Sequence, residues 1–87
     1  MHYKITVIGL VQGVFFRAST QEKAEELDLV GFVQNQPNGD VYLEAQGDRV
    51  DELITWIKAG GPKMARVDKT LLSEGKGHMF LGFKIRN

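Results

Sequence analysis

From Gly9 to Arg17 the chain reads Gly9-Leu10-Val11-Gln12-Gly13-Val14-Phe15-Phe16-Arg17, and this stretch joins a strand to a helix. Before it, Tyr3, Ile5 and Val7 are apolar while His2, Lys4 and Thr6 are not, the period of a strand with one buried face. After it, Phe16, Thr20, Ala24 and Leu27 recur at helical spacing, with the helix-favouring Gln21, Glu22, Lys23, Glu25 and Glu26 between them. A glycine-bearing turn of this kind aims several backbone N–H groups at one spot, and the helix start adds partial positive charge. Arg17 sets a planar fork for oxygen anions beside those amides. Local chemistry leaves two readings open: an anion cradle suited to phosphate, or an ordinary strand-to-helix turn with Arg17 solvated.

Leu29 to Asn35 reads as the next strand. Pro37-Asn38-Gly39-Asp40 is a turn, since Asn-Gly tolerates the positive φ of tight hairpins, and Val41, Leu43 and Ala45 alternate in the returning strand. Asp48 is expected to cap a second helix, with Asp51 in its first turn and Val50, Leu53, Ile54 and Ile57 as its apolar stripe. Gly60-Gly61-Pro62 ends that helix, and Trp56, just off the stripe, covers an edge of the core. From Ala65 to Ser73 the alternation changes phase between Val67 and Leu72, which a β-bulge near Asp68-Lys69 reconciles. Glu74 to His78 is a polar loop, and Leu81, Phe83 and Ile85 alternate in a last short strand. The order β-α-β-β-α-β plus a terminal strand predicts a single α+β domain over residues 1–87. Its expected architecture is the ferredoxin-like split βαβ, with both helices on one face of an antiparallel-rich sheet.

Eighty-seven residues suffice for one modest core. Eleven basic residues balance eleven acidic ones, so no global field draws the chain to nucleic acid or a membrane, and any bound anion is held by local geometry. Cysteine is absent, which excludes disulfides, thiolate metal sites and a cysteine nucleophile. The two histidines, His2 and His78, lack partners at ligand spacing, so no metal site is expected. The first residues lack the apolar core of a signal peptide and no apolar run reaches membrane-spanning length. A cytoplasmic monomer is the expectation.

The residues Gly9, Val11, Gln12, Gly13, Val14, Phe16 and Arg17 resemble the Gly-x-Val-Gln-Gly-Val-x-Phe-Arg loop of the acylphosphatase family. Gly31, Phe32, Val33, Asn35 and Gly39 are similar to that family's second signature, and Gly82-Phe83-Lys84-Ile85-Arg86 resembles its closing strand. The resemblance spans the chain. It implies hydrolysis of an acyl phosphate to a carboxylate and inorganic phosphate, without cofactor. It also implies that Arg17 binds the phosphate with the backbone amides of Gln12, Gly13, Val14, Phe15, Phe16 and Arg17, and that Asn35 positions the attacking water. Four positions depart from the family pattern: Gln34 for a basic residue, Gln36 for a threonine, Asn38 for an aspartate and Asp28 for a glycine. The last two suit left-handed backbone, which Asn and Asp tolerate.

Neither signature contains His, Glu, Asp or Lys. A carboxylate departs without a proton, because its conjugate acid has a pKa of about 4.3. The missing acid thus favours acyl phosphates over monoesters. Of the two adjacent aromatics, Phe16 fits the helix stripe and is expected in the core, while Phe15 lines the entrance. The alternative reading is a non-catalytic anion- or RNA-binding module of the same fold, with Phe32 and Tyr42 sharing the open sheet face.

Overall fold

The alternation at Tyr3, Ile5 and Val7 becomes strand β1 (His2–Leu10), with Ile5 and Val7 fully buried. The computed structural model describes residues 1–87. Helix α1 (Phe16–Glu26) follows, then β2 (Val30–Asn35), β3 (Val41–Gln46), α2 (Val50–Lys58), β4 (Arg66–Glu74) and β5 (Phe83–Arg86). The five strands form one sheet in the order β4-β1-β3-β2-β5. β1 runs antiparallel to β3 and β4, and β2 antiparallel to β3. Only β5 is parallel to its neighbour, β2. This is the expected ferredoxin-like α+β arrangement.

One face of the sheet carries Ile5, Val7, Val33, Val41, Leu43 and Ala45, and the stripes of both helices close over it. Phe16, Ala24 and Leu27 from α1 and Val50, Leu53 and Ile57 from α2 are all buried there. Each large side chain so buried contributes about 1.5–3 kcal/mol before chain entropy is subtracted. Trp56 covers the edge, its ring centroid 6.2 Å from that of Phe16. α1 ends in a Schellman motif: Leu29 N–H donates to the Ala24 carbonyl and Asp28 N–H to that of Glu25. Asp28 sits at φ 56 in this motif, the left-handed geometry expected of it.

Between β1 and β4, Ile8 faces Lys69 and Gly9 faces Val67, so Asp68 is the extra residue of a bulge. Three expectations need correction. Asp48 does not cap α2; the helix begins at Val50 with no side-chain cap. Gly47 turns the chain at φ 152, and Val50 N–H donates to the Gly47 carbonyl. The last strand starts at Phe83, not Leu81: Gly82 at φ 72 breaks the extended run and Leu81 is exposed. In the β2–β3 turn only Gly39 has positive φ, at 99, so Asn38 needs none. Gly39 N–H donates to the Gln36 carbonyl and Gln36 N–H to that of Asp40.

Candidate active site

The strand-to-helix loop is pinned at both ends by buried side chains, Val11 and Phe16. Between them Gly13 (φ 74) and Phe15 (φ 61) adopt left-handed backbone. The turn at Phe15 sends successive aromatic rings in opposite directions: Phe16 is 2% exposed and Phe15 is 80% exposed. No backbone N–H from Gly13 to Ala18 donates to a backbone carbonyl; the first that does is Ser19, to Phe15, at 3.0 Å. The loop therefore offers a run of free donors at the positive end of α1.

Gln12 fixes this loop against the neighbouring turn. Its Nε2 donates to the carbonyls of Gln36 and Asp40, each at 2.8 Å. Those carbonyls flank the turn that follows Asn35, the last residue of β2. Asn35 lies two positions beyond buried Val33 and so faces the helix side of the sheet. Arg17, in the first turn of α1, donates through Nη1 to the Arg86 carbonyl at 3.1 Å and to Asn87 Oδ1 at 3.4 Å. It makes no ion pair with a carboxylate, so its charge is free for an incoming anion.

Arg17 and Asn35 meet at one cleft of about 300 Å³, lined also by Val11, Gly13, Phe15, Phe16, Ala18 and Ile85. Of the residues expected at the site, Gly13, Phe15, Phe16, Arg17 and Asn35 are on its wall. Gln12 and Val14 are not among them; Gln12 contributes instead through its side-chain staple. Sequence reasoning missed Val11, Ala18 and Ile85. Ile85 arrives because β5 lies parallel to β2, pairing it with Val33, a long-range register that no local pattern announces.

The cleft wall holds no His, Asp, Glu, Lys or Tyr. The shifted acid–base groups lie elsewhere: Arg49 and Glu52 pair at the exposed start of α2, and Tyr42 and Glu44 sit on the opposite sheet face. Burial, reinforced by the Glu44 hydrogen bond and charge, pushes the Tyr42 hydroxyl up to about 12. Burial would raise the Glu44 carboxyl, but the hydrogen bonds from Tyr42 and His2 and the charges of His2 and Lys4 outweigh it and hold it below the usual range. His2 Nε2 is 2.8 Å from Glu44 Oε1, and Gly77 N–H donates to His2 Nδ1 at 3.1 Å. This network ties the chain after β4 to the sheet and has no access to the cleft. Phe32 and Tyr42 do meet on that face, their ring centroids 5.9 Å apart and their planes tilted by 52°. Phe32 is only 7% exposed, however, with the Arg86 guanidinium 3.7 Å above its ring, so that ring is covered rather than presented to a nucleic-acid base.

A family model described as acylphosphatase matches residues 3–85. The acylphosphatases of two Yersinia pseudotuberculosis strains, IP 31758 and IP32953, are each 43% identical over 82 residues, covering 92% of this chain and 89% of the relative. Among solved structures, an acylphosphatase from Coxiella burnetii superposes with TM-score 0.92 at 41% identity, over 98% of this chain and 90% of that one. The acylphosphatase from Bacillus subtilis gives TM-score 0.92 at 29% identity, over 99% and 98%.

Proposed function

The chain belongs to the acylphosphatase family and hydrolyses acyl phosphates, and from that premise we propose how its residues divide the work. Arg17 and the loop amides bind the phosphoryl oxygens, and Asn35 aligns water behind phosphorus. The observation that carries this reading is the shared cleft: a guanidinium without a carboxylate partner, a carboxamide and a run of free N–H donors around one space.

Phosphoryl transfer depends on positioning and on stabilising charge spread over three equatorial oxygens. Fixed donors around the cleft do this without reorganising. The bond from water oxygen to phosphorus forms as the bond from phosphorus to the acyl oxygen breaks, and the carboxylate leaves with the electron pair. The water's proton passes to a phosphate oxygen or to solvent, because a neutral carboxamide cannot take it. No general acid is required, in keeping with a wall that has none. The proposal extends to a monomer in the cytoplasm that acts on a small-molecule acyl phosphate and uses no metal or cofactor.

The test is hydrolysis of acetyl phosphate and benzoyl phosphate in excess chelator, with a phosphate monoester of a poor leaving group as control. Turnover of the acyl phosphates alone is expected. Chelator-sensitive turnover, or equal turnover of the monoester, overturns the assignment.

A further inference from the structure

We propose that Phe15 and Ile85 form an acyl subsite that selects apolar acyl phosphates, aromatic or short aliphatic, over acyl groups that are very small or carry a charge. The inference rests on the phosphate reading of the same cleft. Phe15 holds a left-handed backbone at φ 61 and ψ 23, a conformation that bulky L-residues avoid. Its ring gains no packing in return: it is 80% exposed and stands outside the core cluster that takes in its neighbour Phe16. Strain combined with an exposed apolar ring at the lip of a site points to a ligand that uses the ring. Ile85, 40% exposed on β5, lines the same cleft from the other side.

The only polar side chains on the cleft wall are Arg17 and Asn35, and phosphate and water occupy both. A carboxylate or ammonium on the acyl group would therefore meet Phe15, Ile85 and Ala18 and find no counter-charge. An acetyl group is too short to cover either apolar side chain well. A benzoyl group presents a flat face to the phenyl ring and an edge to the isoleucine. About 300 Å³ is at the small end of ligand sites, enough for a phosphoryl group and one ring.

The experiment compares kcat/KM for benzoyl, acetyl and succinyl phosphates within each variant, so that any damage to the phosphate cradle cancels from the ratio. For the unmodified protein, benzoyl phosphate is expected to lead, with succinyl phosphate last. Phe15→Gly keeps a residue suited to positive φ but removes the ring. It should lower the benzoyl-to-acetyl ratio by roughly three- to tenfold, chiefly through KM. Ile85→Thr should move the ratio the same way, and Phe15→Tyr should preserve it. Ratios untouched by both Phe15→Gly and Ile85→Thr overturn the subsite. Failure of the unmodified protein to hydrolyse any of the three instead overturns the phosphate reading beneath it.

Discussion

Arg17 donates through Nη1 to the main-chain carbonyl of Arg86 at 3.1 Å, joining the first turn of α1 to the end of β5. One guanidinium nitrogen is thus occupied in holding the side chain, and the remaining donors of the planar group are left for an anion. The carbonyl is itself fixed, since β5 is paired to β2 and the Arg86 guanidinium stacks on Phe32 at 3.7 Å. Orientation arranged before substrate arrives removes part of the entropy cost of binding.

Arg17→Lys should lose about a hundredfold in kcat/KM, because a point-like ammonium cannot hold the Arg86 carbonyl and still present a planar fork to two phosphate oxygens. The inhibition constant for inorganic phosphate should rise with it. Asn35→Ala should instead lower kcat by about a hundredfold while inorganic phosphate still inhibits. Steady-state kinetics with phosphate as competitive inhibitor separates the two signatures; parallel losses in both variants would contradict separate roles.

Gln12→Leu preserves size but removes both bonds to the Gln36 and Asp40 carbonyls. Each carbonyl keeps another backbone donor, so the expected stability loss is only about 1–2 kcal/mol. Turnover should suffer more, falling roughly tenfold as the loop and Asn35 drift apart. Denaturant unfolding alongside kinetics checks that the two losses differ in scale.

Thr20 is fully buried on the apolar stripe of α1, and its hydroxyl has no hydrogen-bond partner. Thr20→Val replaces that hydroxyl with a methyl of similar volume. It should stabilise the fold by about 1 kcal/mol, a rise in Tm of roughly 4–8 °C for a domain of this size. Thermal unfolding by circular dichroism reads the shift, and a fall in Tm would show that the hydroxyl is satisfied.

Tyr42 and Glu44 contribute at opposite ends of the pH–stability profile. The folded state raises the Tyr42 hydroxyl from 10.0 to about 12, so the native protein holds this proton more tightly than the unfolded chain. That contribution is complete below pH 10 and is lost as pH rises to about 12. Glu44 is shifted down, so its contribution is present above the ordinary glutamate value and fades as pH falls through the folded one. In Tyr42→Phe, the Tm deficit relative to the unmodified protein should therefore shrink between pH 10 and 12. A constant deficit across that interval would dissociate Tyr42 from the alkaline limb.

Where one strand or helix has a single buried face, its residues can be read directly, which is why Ile5, Val7, Leu53 and Ile57 are core and Phe15 and Phe16 part company as expected. The bulge at Asp68 was legible for the same reason, since a slip of one residue reverses the alternation. Arg17 and Asn35 stood out through the loop and the second signature, and the fold puts both on one cleft. Contacts decided by geometry between distant segments left no such trace. The Gln12 staple, the Ile85 wall and the Arg86 carbonyl depend on how a turn and a terminal strand dock. Leu81 misled because its alternation continues through Gly82, where the backbone is no longer extended. Asp48 misled because a tight turn through Gly47 satisfied the helix start first.

The parallel docking of β5 beside β2 also has a kinetic meaning. Residues from both extremes of the chain must be brought together before catalysis is possible, and closing so long a loop is among the slower events of folding. Recovery of enzymatic turnover after dilution from denaturant should lag behind the return of helical signal, which makes activity itself a clock for the arrival of the final strand.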